Sequence, residues 1–73
     1  MGLKKDNFNM KNLLKVERAR HNLTQGALAE KLGVSRQTIY AIEAQKFNPS
    51  VTLAIKMARL FDVTVEYLFD IDQ

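Results

Sequence analysis

The stretch "GVSRQTIYAIE", Gly33 to Glu43, is where the fold of this chain is read. Gly33 suits the left-handed backbone that ends a helix. Ser35 suits the cap that starts the next one. After Ser35 the first helical turn is polar: Arg36, Gln37, Thr38. Ile39 and Ile42 then supply a buried side, and Glu43 lies one turn after Ile39. Arg36, Gln37, Tyr40, Ala41 and Ala44 fall on the opposite side. A guanidinium, an amide, a phenol and two small residues form an unusual solvent face.

Upstream, Thr24 caps a helix from Gln25 to Leu32 whose buried side is Leu28, Ala29 and Leu32. Only "GVS" separates it from the helix Arg36 to Ala44. So short a turn holds two helices at a steep angle, the helix-turn-helix arrangement, here over about residues 24–44. Ala29 is small where the helices approach, and Val34 plugs the corner. Base edges of duplex DNA are read by such groups. Arg pairs with guanine O6 and N7, and Gln with adenine N6 and N7. A solvated helix face made of good helix formers is the plain alternative.

Outward from this unit, a first helix is expected over Met10 to His21, with Leu13, Leu14, Val16 and the stem of Arg18 at helical spacing. Asn22 ends it in the left-handed region. Ser50 caps a helix from Val51 to Phe61 with a wide apolar stripe: Leu53, Ala54, Met57, Ala58 and Phe61. Thr64 caps a short helix from Val65 to Phe69. No segment alternates clearly enough to predict a strand; "LFDID" carries only a thin strand signal. Residues 1–9 read as a flexible tail and residues 10–73 as one all-α domain of five helices.

Glu43, beside Ile39 and Ile42, needs a cation if it is partly desolvated. Arg18, set among core positions of the first helix, is the candidate. Removing one partner of a buried pair costs ~3–5 kcal/mol.

The totals narrow the function. The chain has 73 residues and no Cys, so disulfides and thiolate metal sites are excluded. His21 is the single histidine and cannot build a zinc site alone. No metal or cofactor is expected. No apolar run nears the roughly 20 residues that span a bilayer. The N-terminus lacks the apolar core of a secretory signal, so a cytoplasmic, nucleoid-associated protein is expected. Residues 1–61 hold all 11 Lys and Arg against four acids, net +7, and residues 62–73 hold four acids and no base, net −4. The body faces a polyanion and the end is turned elsewhere. Nothing suggests an enzyme: there is no glycine-rich phosphate loop and no cleft-sized length.

From Lys11 to Phe69 the sequence resembles the Cro/phage-repressor (XRE) helix-turn-helix regulators, in "LTQGALAEKLGVSRQTIYAIEAQKFNPS" and "LAIKMARLFDVTVEYLF". The likeness is to short, stand-alone members. It implies a five-helix lambda-repressor-like domain with the third helix in the major groove. By that resemblance Gln25 anchors to a phosphate at a helix N-terminus. Arg36 and Gln37 match base-reading positions. Ser35, Thr38 and Tyr40 match phosphate or flanking contacts, and Lys46, Phe47 and Asn48 match the loop along the DNA backbone. The resemblance also implies the Arg18–Glu43 pair. Ala41 is short where some members carry a reading side chain, so its contact is limited to a thymine methyl. The family often has Gly where this chain has Asn22, Gln45 and Asp62. Gln45 is the least comfortable of these, so an extended or strained end of the third helix is expected.

One helix-turn-helix covers one half-site, so a homodimer on a palindromic or pseudo-palindromic operator is expected, its reading helices about 34 Å apart. Val65, Leu68, Phe69 and Ile71 are apolar beyond what this end should bury alone and are the expected dimer contact; docking on their own domain is the alternative. The expected function is a sequence-specific DNA-binding transcriptional regulator, a repressor. The competing reading is a protein-interaction module, an antitoxin or a bridging coactivator on the same fold.

Overall fold

A computed structural model describes residues 9–72. In chain order these are β1 (Asn9–Asn12), α1 (Leu14–Arg20), α2 (Gln25–Leu32), α3 (Arg36–Glu43), α4 (Val51–Phe61), α5 (Val65–Leu68) and β2 (Phe69–Asp72). Residues 1–8, most of the expected tail, lie outside the described residues.

Four helices start the same way. The hydroxyls of Thr24, Ser35, Ser50 and Thr64 accept from the N–H groups of Ala27, Thr38, Leu53 and Tyr67 at 3.0–3.1 Å. Each satisfies a donor that the first turn leaves without an intrahelical partner. The helix ends are equally local. Asn22, Gln45 and Asp62 all have positive φ (55°, 62° and 57°), as does Gly33 at 74°. Of the two endings expected at Gln45, extended or strained, the structure has the second: a tight left-handed turn on a residue with a Cβ. Ala44 closes α3, and the Lys46 N–H donates back to the Ala41 carbonyl at 2.9 Å. That back-bond satisfies a carbonyl the helix end would otherwise orphan.

The expected first helix is too long at its N-terminal end. Asn9–Asn12 instead forms a strand antiparallel to β2, with Met10 opposite Ile71, Lys11 opposite Asp70 and Asn12 opposite Phe69. The pattern is short but alternating: Met10 packs against the core while Lys11 is exposed. Asn12 then turns the chain. Its Oδ1 accepts the Leu14 N–H at 3.2 Å, and its Nδ2 donates to the Ile42 carbonyl at 2.8 Å. At the other end α5 stops at Leu68, and Phe69 opens the strand.

A second correction concerns which face of α1 is inside. Leu14 and Glu17 are buried, whereas Leu13 and Val16 are 37% and 46% exposed. The core gathers Leu14 with Leu28, Leu32, Ile39, Ile42, Met57, Phe61 and Leu68. Leu68 and Phe69 are also buried in it, and Val65 packs against it. Leu68 and Phe69 therefore dock on their own domain and are not presented to a second copy. The Leu13 N–H holds the Leu68 carbonyl at 2.9 Å, which fixes that end against α1. The Ile71 side chain lies outside the described residues.

Candidate nucleic-acid interface

The interface is built on α3. Its inner side is held by Ile39 and Ile42, both essentially buried. Glu43 completes the anchor. Its Oε2 accepts from Arg18 Nε at 2.7 Å, and its Oε1 accepts from Arg18 Nη2 at 3.1 Å and Gln25 Nε2 at 3.0 Å. The Glu43 side chain is 8% exposed and the Arg18 side chain 15%. The bidentate fork fixes direction as well as distance. Arg18 Nη1 also donates to the Leu23 carbonyl at 3.0 Å, so one guanidinium ties α1, the approach to α2 and α3 together.

With its inner side fixed, α3 presents the other. Arg36, Gln37 and Tyr40 are exposed, and Ala41 is half-buried. Gln25, Ser35, Arg36, Gln37 and Tyr40 line one concavity of about 560 Å³. Gln25 and Tyr40 also border a second, of about 350 Å³, with Lys15, Arg18, Glu43 and Ala44. The two share Gln25 and Tyr40 and so adjoin along α3, from its first turn to Ala44. Gln25 is shared by the core anchor and this surface, because its amide nitrogen is already committed to Glu43.

Arg36 is not a loose surface arginine. A Cβ added at Gly26 would lie 3.8 Å from Arg36 Cδ, so the arginine stem passes over the first turn of α2. A guided stem leaves fewer rotamers to freeze on binding. Ser35 and Thr38 are engaged with each other, hydroxyl to hydroxyl at 2.9 Å, besides the cap. Lys46, Phe47 and Asn48 are exposed in the loop after α3, Phe47 by 52%.

Lys15 escaped the reading of the sequence. It stands one turn before Arg18 on the exposed side of α1, and that spacing is the only signal it leaves.

Residues 14–68 match the helix-turn-helix family model. The chain belongs to the XRE-type helix-turn-helix family. An uncharacterised HTH-type transcriptional regulator of Methanocaldococcus jannaschii is 62% identical over 60 residues, covering 82% of this chain and 91% of that one. Another, from Bacillus subtilis, is 41% identical over 64 residues, covering 88% of this chain and 97% of the relative. A crystal structure from Bacteroides fragilis, of a protein described as DNA-binding, superposes with a TM-score of 0.74 at 34% identity. It covers 84% of this chain and 98% of that one. This helix-turn-helix chain is thus a DNA-binding regulator by family and fold. No described helix is long and apolar enough to cross a membrane.

Proposed function

We propose that this regulator is a repressor that reads a palindromic or pseudo-palindromic operator in double-stranded DNA as a homodimer, with α3 in the major groove. The observation that carries the reading is the division of labour on α3. Ile39, Ile42 and Glu43 hold the helix, while Arg36, Gln37 and Tyr40 converge with Gln25 on one open concavity. Arg36 and Gln37 address base edges. Ala41 sits against a thymine methyl. Ser35, Thr38, Lys46, Phe47 and Asn48 follow the backbone, and Lys15 joins them.

Gln25 serves the phosphate through the N–H groups of the α2 N-terminus and its second amide proton. The hydrogen bond to Glu43 keeps that amide in place. The electrostatics agree, since all 11 basic residues lie in residues 1–61.

A salt titration against a duplex selected by the protein from random sequence tests this reading. The logarithm of affinity should fall steeply with the logarithm of salt. Lys15→Ala and Lys46→Ala should each reduce that slope by ~1.8, the loss of one phosphate contact from each of the two protomers. Binding indifferent to salt would remove the DNA reading and favour a protein partner, as for an antitoxin or a bridging coactivator.

A further inference from the structure

Ile39 and Ile42 hold α3 against the core, but apolar contact has no preferred direction. It resists withdrawal of the helix and leaves its tilt open. Tilt is set by hydrogen bonds, which are directional. The Glu43 side chain supplies one such tie, held by Arg18 and Gln25. Asn12 supplies another, and it grips the backbone itself. Its Nδ2 donates to the Ile42 carbonyl at 2.8 Å, across 30 residues of sequence.

Asn12 is a firm place from which to hold a helix. Its backbone is paired opposite the buried Phe69 in the β1–β2 ladder, and the next N–H, of Leu13, donates to the Leu68 carbonyl at 2.9 Å. Its Oδ1 accepts the Leu14 N–H, so the amide can sit only one way. Turned over, it would set oxygen against the Ile42 oxygen and N–H against N–H. The Ile42 carbonyl also accepts the Gln45 N–H at 3.0 Å, where the chain leaves the helix in the left-handed region. One tie thus places both the end of α3 and the start of the loop Lys46–Asn48.

The lever is long enough to matter. Arg36 lies about 9 Å from Ile42 along the helix. A tilt of ~10° at that end moves Arg36 by ~1.6 Å, well beyond the ~0.5 Å within which a binding group must be held. We propose that Asn12 is a positioning residue for base reading. Its amide, fixed by the sheet that joins the two ends of the described chain, sets the angle of α3 and so the discrimination between base pairs. The proposal rests on α3 as the reading helix.

Asn12→Ser separates the two halves of the amide. A serine hydroxyl can accept the Leu14 N–H, as hydroxyls do in turns, but is too short to reach Ile42. The control is Thr64→Ala, which removes a 3.0 Å hydrogen bond at the start of α5. Affinity is measured well below Tm for the selected operator, for duplexes altered at single base pairs and for a random duplex. A loss of folded protein weakens all of these alike and leaves their ratios unchanged.

Asn12→Ser should cut the ratio of operator to altered-duplex affinity at least fivefold and keep its binding to random duplex, while Thr64→Ala keeps both. In the free protein, amide hydrogen exchange in α3 should quicken relative to α4 in Asn12→Ser alone. An unchanged ratio in Asn12→Ser, with or without a fall in Tm, would overturn the proposal. So would a ratio lost equally in Thr64→Ala, or α3 exchange no faster than in the unsubstituted chain. If the unsubstituted chain discriminates among no duplexes, the regulator reading falls and takes Asn12's role in reading with it; quickened exchange confined to α3 would then mark the tie as one of folding alone.

Discussion

Glu43 shows how one side chain serves both fold and site. It accepts three hydrogen bonds, two from Arg18 and one from Gln25. Replacing it with Ala strands the charge of Arg18, whose side chain is only 15% exposed, and releases Gln25 as well. Glu43→Ala should therefore lower stability by ~3–5 kcal/mol, read as a fall in the denaturant midpoint. An unchanged midpoint would mean that the pair contributes nothing.

The residue types at this site were legible in the sequence, because a carboxylate beside two inward isoleucines calls for a cation. Gln25's hydrogen bond to Glu43 was not. Nothing in the spacing shows that an amide opening α2 reaches the end of α3. Glu17 was missed for a similar reason. It stands between Val16 and Arg18, which read as the inward positions, and Tyr67 Oη, which donates to it at 2.7 Å, comes 50 residues later.

At the scale of elements, the helices were legible because their signals are local. Hydroxyl caps and left-handed closures act within one turn, and both follow from residue type. The strands were not legible, since β1 is specified by pairing with a segment at the opposite end of the described chain.

Two substitutions test this level. Gly26 lies in the first turn of α2, where an added Cβ meets only ordinary contacts at 3.8 and 3.9 Å. Gly26→Ala should stabilise the domain by ~0.5–1 kcal/mol, raise Tm and leave DNA affinity unchanged. A loss of affinity would show that Arg36 has less room than the geometry gives.

Tyr67 bridges α5 to α1. Its hydrogen bond to the Glu17 carboxylate, then desolvation, raise the phenol pKa above its ordinary 10.0. The folded state thus favours the neutral phenol. Its contribution is fully present below pH 10.0 and is lost as pH rises through the folded-state pKa. Tyr67→Phe should remove this alkaline loss of stability, as seen in Tm measured from pH 8 to about pH 11. An identical alkaline profile in the variant would assign the loss to other groups.

For the whole molecule, the account is one of a small core spent on holding a surface. The residues of α3 that face inward fix its pose, and those that face outward are free of packing duty. That asymmetry predicts that Arg36→Ala and Gln37→Ala change recognition without changing the fold. The most direct measurement is the affinity of the unsubstituted chain and of Arg36→Ala for a panel of duplexes, each altered at one base pair of the selected operator. The account predicts that Arg36→Ala loses ~1–3 kcal/mol of discrimination at one symmetry-related position in each half-site and keeps its preferences elsewhere, with Tm unchanged. Preferences retained at every position, or weakened equally at all of them, would contradict the assignment of Arg36 as a reader of bases.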